Sequence, residues 1–239
     1  MGKINFKNVQ YQEPDEYLKP YVKFYVSIAF EAPDFPLWIP ADRRNQLLIL
    51  KKGKVELNTQ SSTYLQPEIS IRTSFDGPLE VEFEKGTVEV IAVDFTPIGL
   101  YHLFGIDMET HLNQIVELNT AEYRIDFETI KDSNFKSKLD EILIERLAKR
   151  DIKYSAEIAE GIKFAEKKGG KCERAEVALY IDLNSKTFYR YFKKFTGFSP
   201  KKYFNIIQFE ATLIEIIKNE EVDKMELLAQ SGSYDQPHF

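Results

Sequence analysis

The sequence predicts an α+β protein in two parts, an N-terminal β-rich barrel or sandwich and a C-terminal all-helical domain. Three observations point there. Up to about residue 125 the apolar residues come in short, often alternating runs separated by turn signals. From Ser133 onward they recur at helical spacing instead. A length of 239 residues, 43% of them hydrophobic, suits two cores. The expected boundaries are 1–130 for the β-rich part, 131–154 for a connecting helix and 155–239 for the helical domain. Cys172 is the one cysteine, which excludes an internal disulfide framework and any multi-cysteine zinc site. No apolar run approaches the roughly 18 residues of a membrane span. Met1 to Gln10 lacks the apolar segment of a signal peptide, and Phe6 stands where a myristoylation signal needs Ser or Thr. The expected setting is cytoplasmic, without a membrane partner.

The elements follow in order. Tyr21 to Phe30 is rich in aromatic and β-branched residues and reads as a strand. Leu47 to Leu50 is a short buried-type strand, and Lys52-Gly53 turns it into Val55 to Asn58. Ile69 to Thr73 alternates. The Asp76-Gly77-Pro78 breaker leads to a period-two run at Leu79, Val81 and Phe83, and Lys85-Gly86 turns the chain into Val88 to Phe95. Pro97-Ile98-Gly99 ends the strands and opens a short helix, Leu100 to Phe104. After Ser133, the expected N-cap, Phe135, Leu139, Ile142, Leu143 and Leu147 form one apolar stripe. That stripe packs either against a second copy, giving a homodimer, or onto its own barrel. Ala156 to Lys168 is a second amphipathic helix, stopped by Gly169-Gly170.

Glu173 to Ile181 is a short helix, and Asp182-Leu183-Asn184 a tight connection. Asn184 then caps a helix over Ser185–Thr196 by offering its side chain to a free amide of the first turn. This helix has two faces. Phe188, Tyr191, Phe192 and Phe195 form the buried stripe, and Lys186, Tyr189, Arg190 and Lys193 lie opposite. Gly197 ends it. Two short helices joined by such a turn make a helix-turn-helix, whose second helix fits the major groove of double-stranded DNA. The charge distribution agrees with that reading. The whole chain carries −6, yet residues 155–239 are neutral, with 13 basic and 13 acidic residues. From Lys186 through Arg190, Lys193, Lys194 and Lys201 to Lys202 no acidic residue intervenes. A solvated helix face is the bland alternative for this run, and core packing is the one for most of its aromatic rings.

The stretch from Asn184 to Pro200 resembles the first recognition helix and following turn of AraC-type transcriptional regulators. Phe188, Arg190, Phe192-Lys193, Gly197 and Ser199-Pro200 match that family's pattern. Pro200 to Lys218 resembles the long helix joining the family's two helix-turn-helix units, with Gln208 in place of its usual arginine. Met225 to Gly232 and Ser233 to Phe239 look like the first helix of the second unit and the opening of its recognition helix, capped by Asp235. The sequence stops there, so the resemblance implies a second unit left incomplete. Trp38 to Asp42, and Val93 to Pro97 with Gly99, resemble more weakly the sensing domains that precede this module. The resemblance implies a sequence-specific DNA-binding regulator with Ser185, Lys186, Thr187, Tyr189, Arg190, Lys193, Lys194, Lys201, Gln236 and His238 toward DNA. It also implies a small-molecule effector, for which Tyr25, Trp38 and Arg43 are the candidate contacts.

Two other classes fit parts of the sequence. One is a ligand- or partner-binding protein whose DNA module is vestigial, suggested by the overall acidity and the incomplete second unit. The other is an enzyme on a cupin-like barrel. Only His102, His111 and His238 are present, and no two share the strand spacing of a metal site. His102 and His111 read as surface or capping residues, and Cys172 as a weak helix cap. No phosphate-cradling glycine loop and no nucleophile-elbow motif occur. No metal, cofactor or catalytic residue is therefore expected.

Overall fold

The computed structural model describes residues 4–59, 62–119, 130, 133–147 and 152–219, with side chains as far as Ile214. Ten strands precede most of the helices: β1 (Asn5–Gln12), β2 (Val22–Glu31), β3 (Leu37–Ile39), β4 (Asn45–Lys52), β5 (Val55–Asn58), β6 (Thr63–Leu65), β7 (Ile69–Arg72), β8 (Leu79–Phe83), β9 (Thr87–Phe95) and β10 (Ile115–Glu117). They form two antiparallel sheets, one ordered β1-β2-β9-β4-β7-β10 and the other β3-β8-β5-β6. The alternation read from the sequence sets the register. Leu47 pairs with Val93 across β4 and β9, and Val26 with Ala92 across β2 and β9. A one-residue slip would turn each buried set outward, so the register is firmly specified.

The expectation of a barrel or sandwich resolves to two open sheets; a closed cupin-like barrel is not formed. The physical reason lies at the edges. β3, β6 and β10 have three residues each, too short a row of backbone groups to close one sheet onto the other. Those same strands escaped the sequence reading, since three residues do not establish a period.

Seven helices are described: α1 (Gly99–Phe104), α2 (Met108–His111), α3 (Phe135–Leu147), α4 (Ser155–Lys167), α5 (Arg174–Tyr180), α6 (Ser185–Thr196) and α7 (Pro200–Asn219). Ser133 does not cap α3. The first turn closes on Asn134, whose carbonyl accepts the Lys138 N–H at 3.1 Å and the Ser137 hydroxyl at 3.0 Å. The stripe of α3 packs into its own sheet: Phe135, Leu139 and Leu143 share a core with Leu18, Tyr25, Ile91 and Leu103. The Tyr25 hydroxyl donates to Asp140 of α3 at 2.8 Å, and Lys136 also pairs with Asp140. The face offered to a second copy is thus already occupied within one chain.

A second core unites α4 to α7. Ile158, Ile162, Val177, Phe188, Phe192, Phe195, Tyr203 and Phe204 meet in it. Ile98 joins this helical core from the loop after β9, with Tyr101 and Leu112 packed beside it. The two halves therefore share an apolar boundary, with Tyr101 edge-on to Phe195 at 5.2 Å between ring centres. No helix among the described residues is long and apolar enough to cross a membrane.

Candidate nucleic-acid interface

The turn between α5 and α6 is made by backbone geometry. Asp182 takes φ +53°, and the Leu183 N–H returns to the Ala178 carbonyl at 2.9 Å, which ends α5 and redirects the chain. Asn184 then accepts the Thr187 N–H at 2.9 Å, satisfying a free donor of α6. The α5 cap differs from the reading of Cys172. Glu176 reaches back to the Glu173 N–H at 3.4 Å, so Glu173 and Glu176 form the cap and Cys172 precedes it, its thiol pushed up by burial and by Glu176.

With α6 placed, its faces separate as the spacing requires, except that Tyr191 of the expected buried stripe is only half-buried. Phe188, Phe192 and Phe195 are each 0% exposed. On the opposite side Lys186, Tyr189 and Arg190 are exposed, Tyr189 at 37%. Ser185 and Thr187 lie half-buried in the first turn. Two ring contacts steady the outer face: the Arg174 guanidinium lies 5.7 Å from the Tyr189 ring centre, and that of Arg190 4.9 Å from Tyr191. Lys201 is exposed at the start of α7. Gln236 and His238 lie outside the described residues.

The C-terminal half of the outer face is covered, which the sequence did not reveal. Helix α2 lies against α6. Glu109 of α2 pairs with Lys193 at 2.8 Å, and the Lys194 ammonium sits 4.8 Å from the Tyr101 ring centre. Both lysines are held above their usual pKa by these partners. Gly197 makes the approach possible. It adopts φ +79°, and a Cβ there would lie 2.8 Å from the Met108 carbonyl oxygen. α2 escaped sequence reading because it is four residues long; its Asp107 cap, accepting the Glu109 N–H at 3.0 Å, is its local signal.

Beside α5 and α7 an open cleft of about 430 Å³ is lined by Gly170, Lys171, Cys172, Arg174, Lys201 and Gln208 among others. Gln208 donates to the Gly170 carbonyl at 2.9 Å, so it ties the long helix to the α4–α5 turn.

The three candidate effector contacts are not brought together. Tyr25 is fully buried against α3, and burial and Asp140 push its hydroxyl pKa upward. Trp38 sits on β3 of the smaller sheet, 38% exposed. Arg43 joins the two halves: it donates to Glu166 at 2.9 Å, to the Tyr203 hydroxyl at 2.9 Å and to Glu210 at 2.5 Å. Burial works against the Arg43 charge, yet Tyr203, Glu210 and Glu166 hold its pKa above the usual value. His102 is buried and packs on Tyr21 at 4.6 Å between ring centres, rather than lying at the surface. His111 ends α2, its Nδ1 2.8 Å from the Asp107 carbonyl. Among the described residues no group of three or more His, Cys, Asp or Glu could hold a metal ion.

No family model matches the sequence, and no curated protein does. Among solved structures, ToxT from Vibrio cholerae O395 aligns with a TM-score of 0.43 and 11% identity, over 87% of this chain and 88% of ToxT. Wild-type ToxT from Vibrio cholerae strain SCE256 with an unsaturated fatty acid bound gives 0.43 and 12%, over 92% and 88%. The AraC-like transcriptional activator CuxR gives 0.34 and 10%, over 88% and 87%.

Proposed function

We propose that the chain is a DNA-binding transcription regulator of AraC type, with residues 1–130 sensing an effector, 131–154 connecting, and 155–239 facing DNA. The observation that carries this is α6 itself, a capped helix after a tight turn that buries three phenyl rings and leaves Lys186, Tyr189 and Arg190 outside. A helix so presented enters the major groove by its N-terminal half. Arg190 and Lys186 reach guanine edges or phosphates, and Tyr189 contributes an apolar and hydrogen-bonding contact. Ser185 and Thr187, at the helix N-terminus, face the backbone, where free amides and the helix dipole favour phosphate. Lys193, Lys194 and Lys201 supply counter-charge along the flanking strand, with Gln236 and His238 belonging to the second unit.

Fluorescence anisotropy on duplex DNA from the region upstream of its own gene tests the proposal. Arg190→Ala is expected to weaken specific binding by about 1–3 kcal/mol and to relax sequence preference. A loss uniform across sequences reassigns Arg190 to a phosphate. Unchanged binding removes α6 as the reading helix.

A further inference from the structure

The open cleft of about 430 Å³ beside α5 and α7 has no part in the proposed function. Its floor is tightly built. Gly170 adopts φ +76°, and a Cβ there would stand 2.3 Å from the Phe204 carbonyl oxygen, so the α4–α5 turn is pressed onto α7. Gln208 ties the same two pieces together through the Gly170 carbonyl. Around this floor the charges do not balance. Glu173 is engaged in the capping box of α5, and Glu176 pairs with Lys168. Lys171 and Lys201 are exposed, and among the described residues neither they nor Arg174 pair with a carboxylate. The Arg174 guanidinium rests on the Tyr189 ring instead. Both acids of the lining are therefore compensated, and its three cations are not.

We infer that this cleft is a binding site for a compact, multiply charged oxyanion, a small polyphosphate or polycarboxylate, held by Lys171 and Arg174 from the α5 side and by Lys201 from α7. The volume falls within the roughly 300–1,000 Å³ of small-molecule sites, most of which are apolar. Here Phe204 is buried at the base, and the rim that a ligand meets is cationic, with the exposed Asn205 adding an amide. A singly charged ligand would leave most of that excess uncompensated, which favours a polyanion. None of the three cations has to leave a carboxylate first, so binding costs little beyond the ordering of their side chains. The site lies wholly within the helical half, apart from Tyr25, Trp38 and Arg43. It shares Lys201 with the residues proposed to meet DNA and otherwise does not depend on that reading.

Cys172 reports on occupancy, because it is the one cysteine and it lines the cleft. The rate of its alkylation by iodoacetamide is measured on the whole chain at fixed pH and ionic strength, with inorganic triphosphate, citrate or a mixed-sequence DNA duplex added. Triphosphate or citrate is expected to slow alkylation saturably, about tenfold at roughly ten times its Kd. Lys171→Gln/Lys201→Gln is expected to raise the half-saturating concentration about two- to thirtyfold, from the usual worth of two exposed charge pairs. Lys163→Gln/Lys167→Gln makes the same change in net charge at exposed positions of α4 outside the lining, and is expected to leave that concentration unmoved. Alkylation that neither anion slows, or equal half-saturation in the two variants, overturns the inference. Protection by the duplex alone gives the cleft to backbone phosphate and overturns it as a small-ligand site.

Discussion

At the residue scale, Gly197 performs two tasks that no other residue type combines. Its φ of +79° ends α6, and its missing Cβ admits the Met108 carbonyl of α2. The first task was legible in the sequence, because a glycine after an amphipathic run is a local stop signal. The second was not, since it depends on a segment some ninety positions earlier in the chain. Gly197→Ala is expected to lose about 1–3 kcal/mol of stability in urea unfolding and to speed exchange over 108–112. A neutral or stabilising result, as glycine-to-alanine changes give where the backbone is ordinary, would contradict the positive φ. Lys193 shows the same division. Its side of the helix followed from spacing, and its partner Glu109 from nothing local.

At the element scale, α6 was readable end to end because cap, stripe and stop all lie within its own residues. Asn184→Ala is expected to cost about 1 kcal/mol, seen as a lower urea midpoint with unchanged slope. No change would mean that water replaces the cap at no cost. α3 is readable as an amphipathic helix, but its stripe alone does not decide between a second copy and its own barrel. The answer lies in tertiary packing, where Leu139 and Leu143 are fully buried beside Tyr25. The three-residue strands and α2 carried too few residues for any period to emerge. Effector contacts were the least legible: Tyr25, Trp38 and Arg43 attracted notice by residue type, and residue type alone does not place side chains around a common cavity.

At the scale of the whole molecule, buried charge predicts a pH profile. Burial alone would raise the Asp42 carboxyl, but Arg72 and Arg44 hold it below its usual 3.8. Asp76 is likewise low, burial being outweighed by Lys202 and Asn113. A carboxyl depressed in the folded state stabilises fully above its unfolded value and loses that effect as pH falls through the folded one. Stability is therefore expected to hold from neutrality down to about pH 4 and to decline below 3.8, with a shallower acid limb in Asp42→Asn. At the other end, Tyr203 is pushed up to about 12, chiefly by burial, so its contribution is full below 10 and fades as pH rises through about 12. Chemical denaturation across pH measures both limbs. Flat stability through the acid range would show that the Asp42–Arg72 pair adds no net linkage.

The insertion of Ile98, Tyr101 and Leu112 into the helical core has a consequence for how the chain can be divided. A gene cut at residue 155 would yield helices with an unfilled hollow where those three side chains belong, and strands with a greasy knob left in water. The halves are joined less like beads on a string than like a mortise and tenon, so any signal that prises them apart must rehydrate the joint.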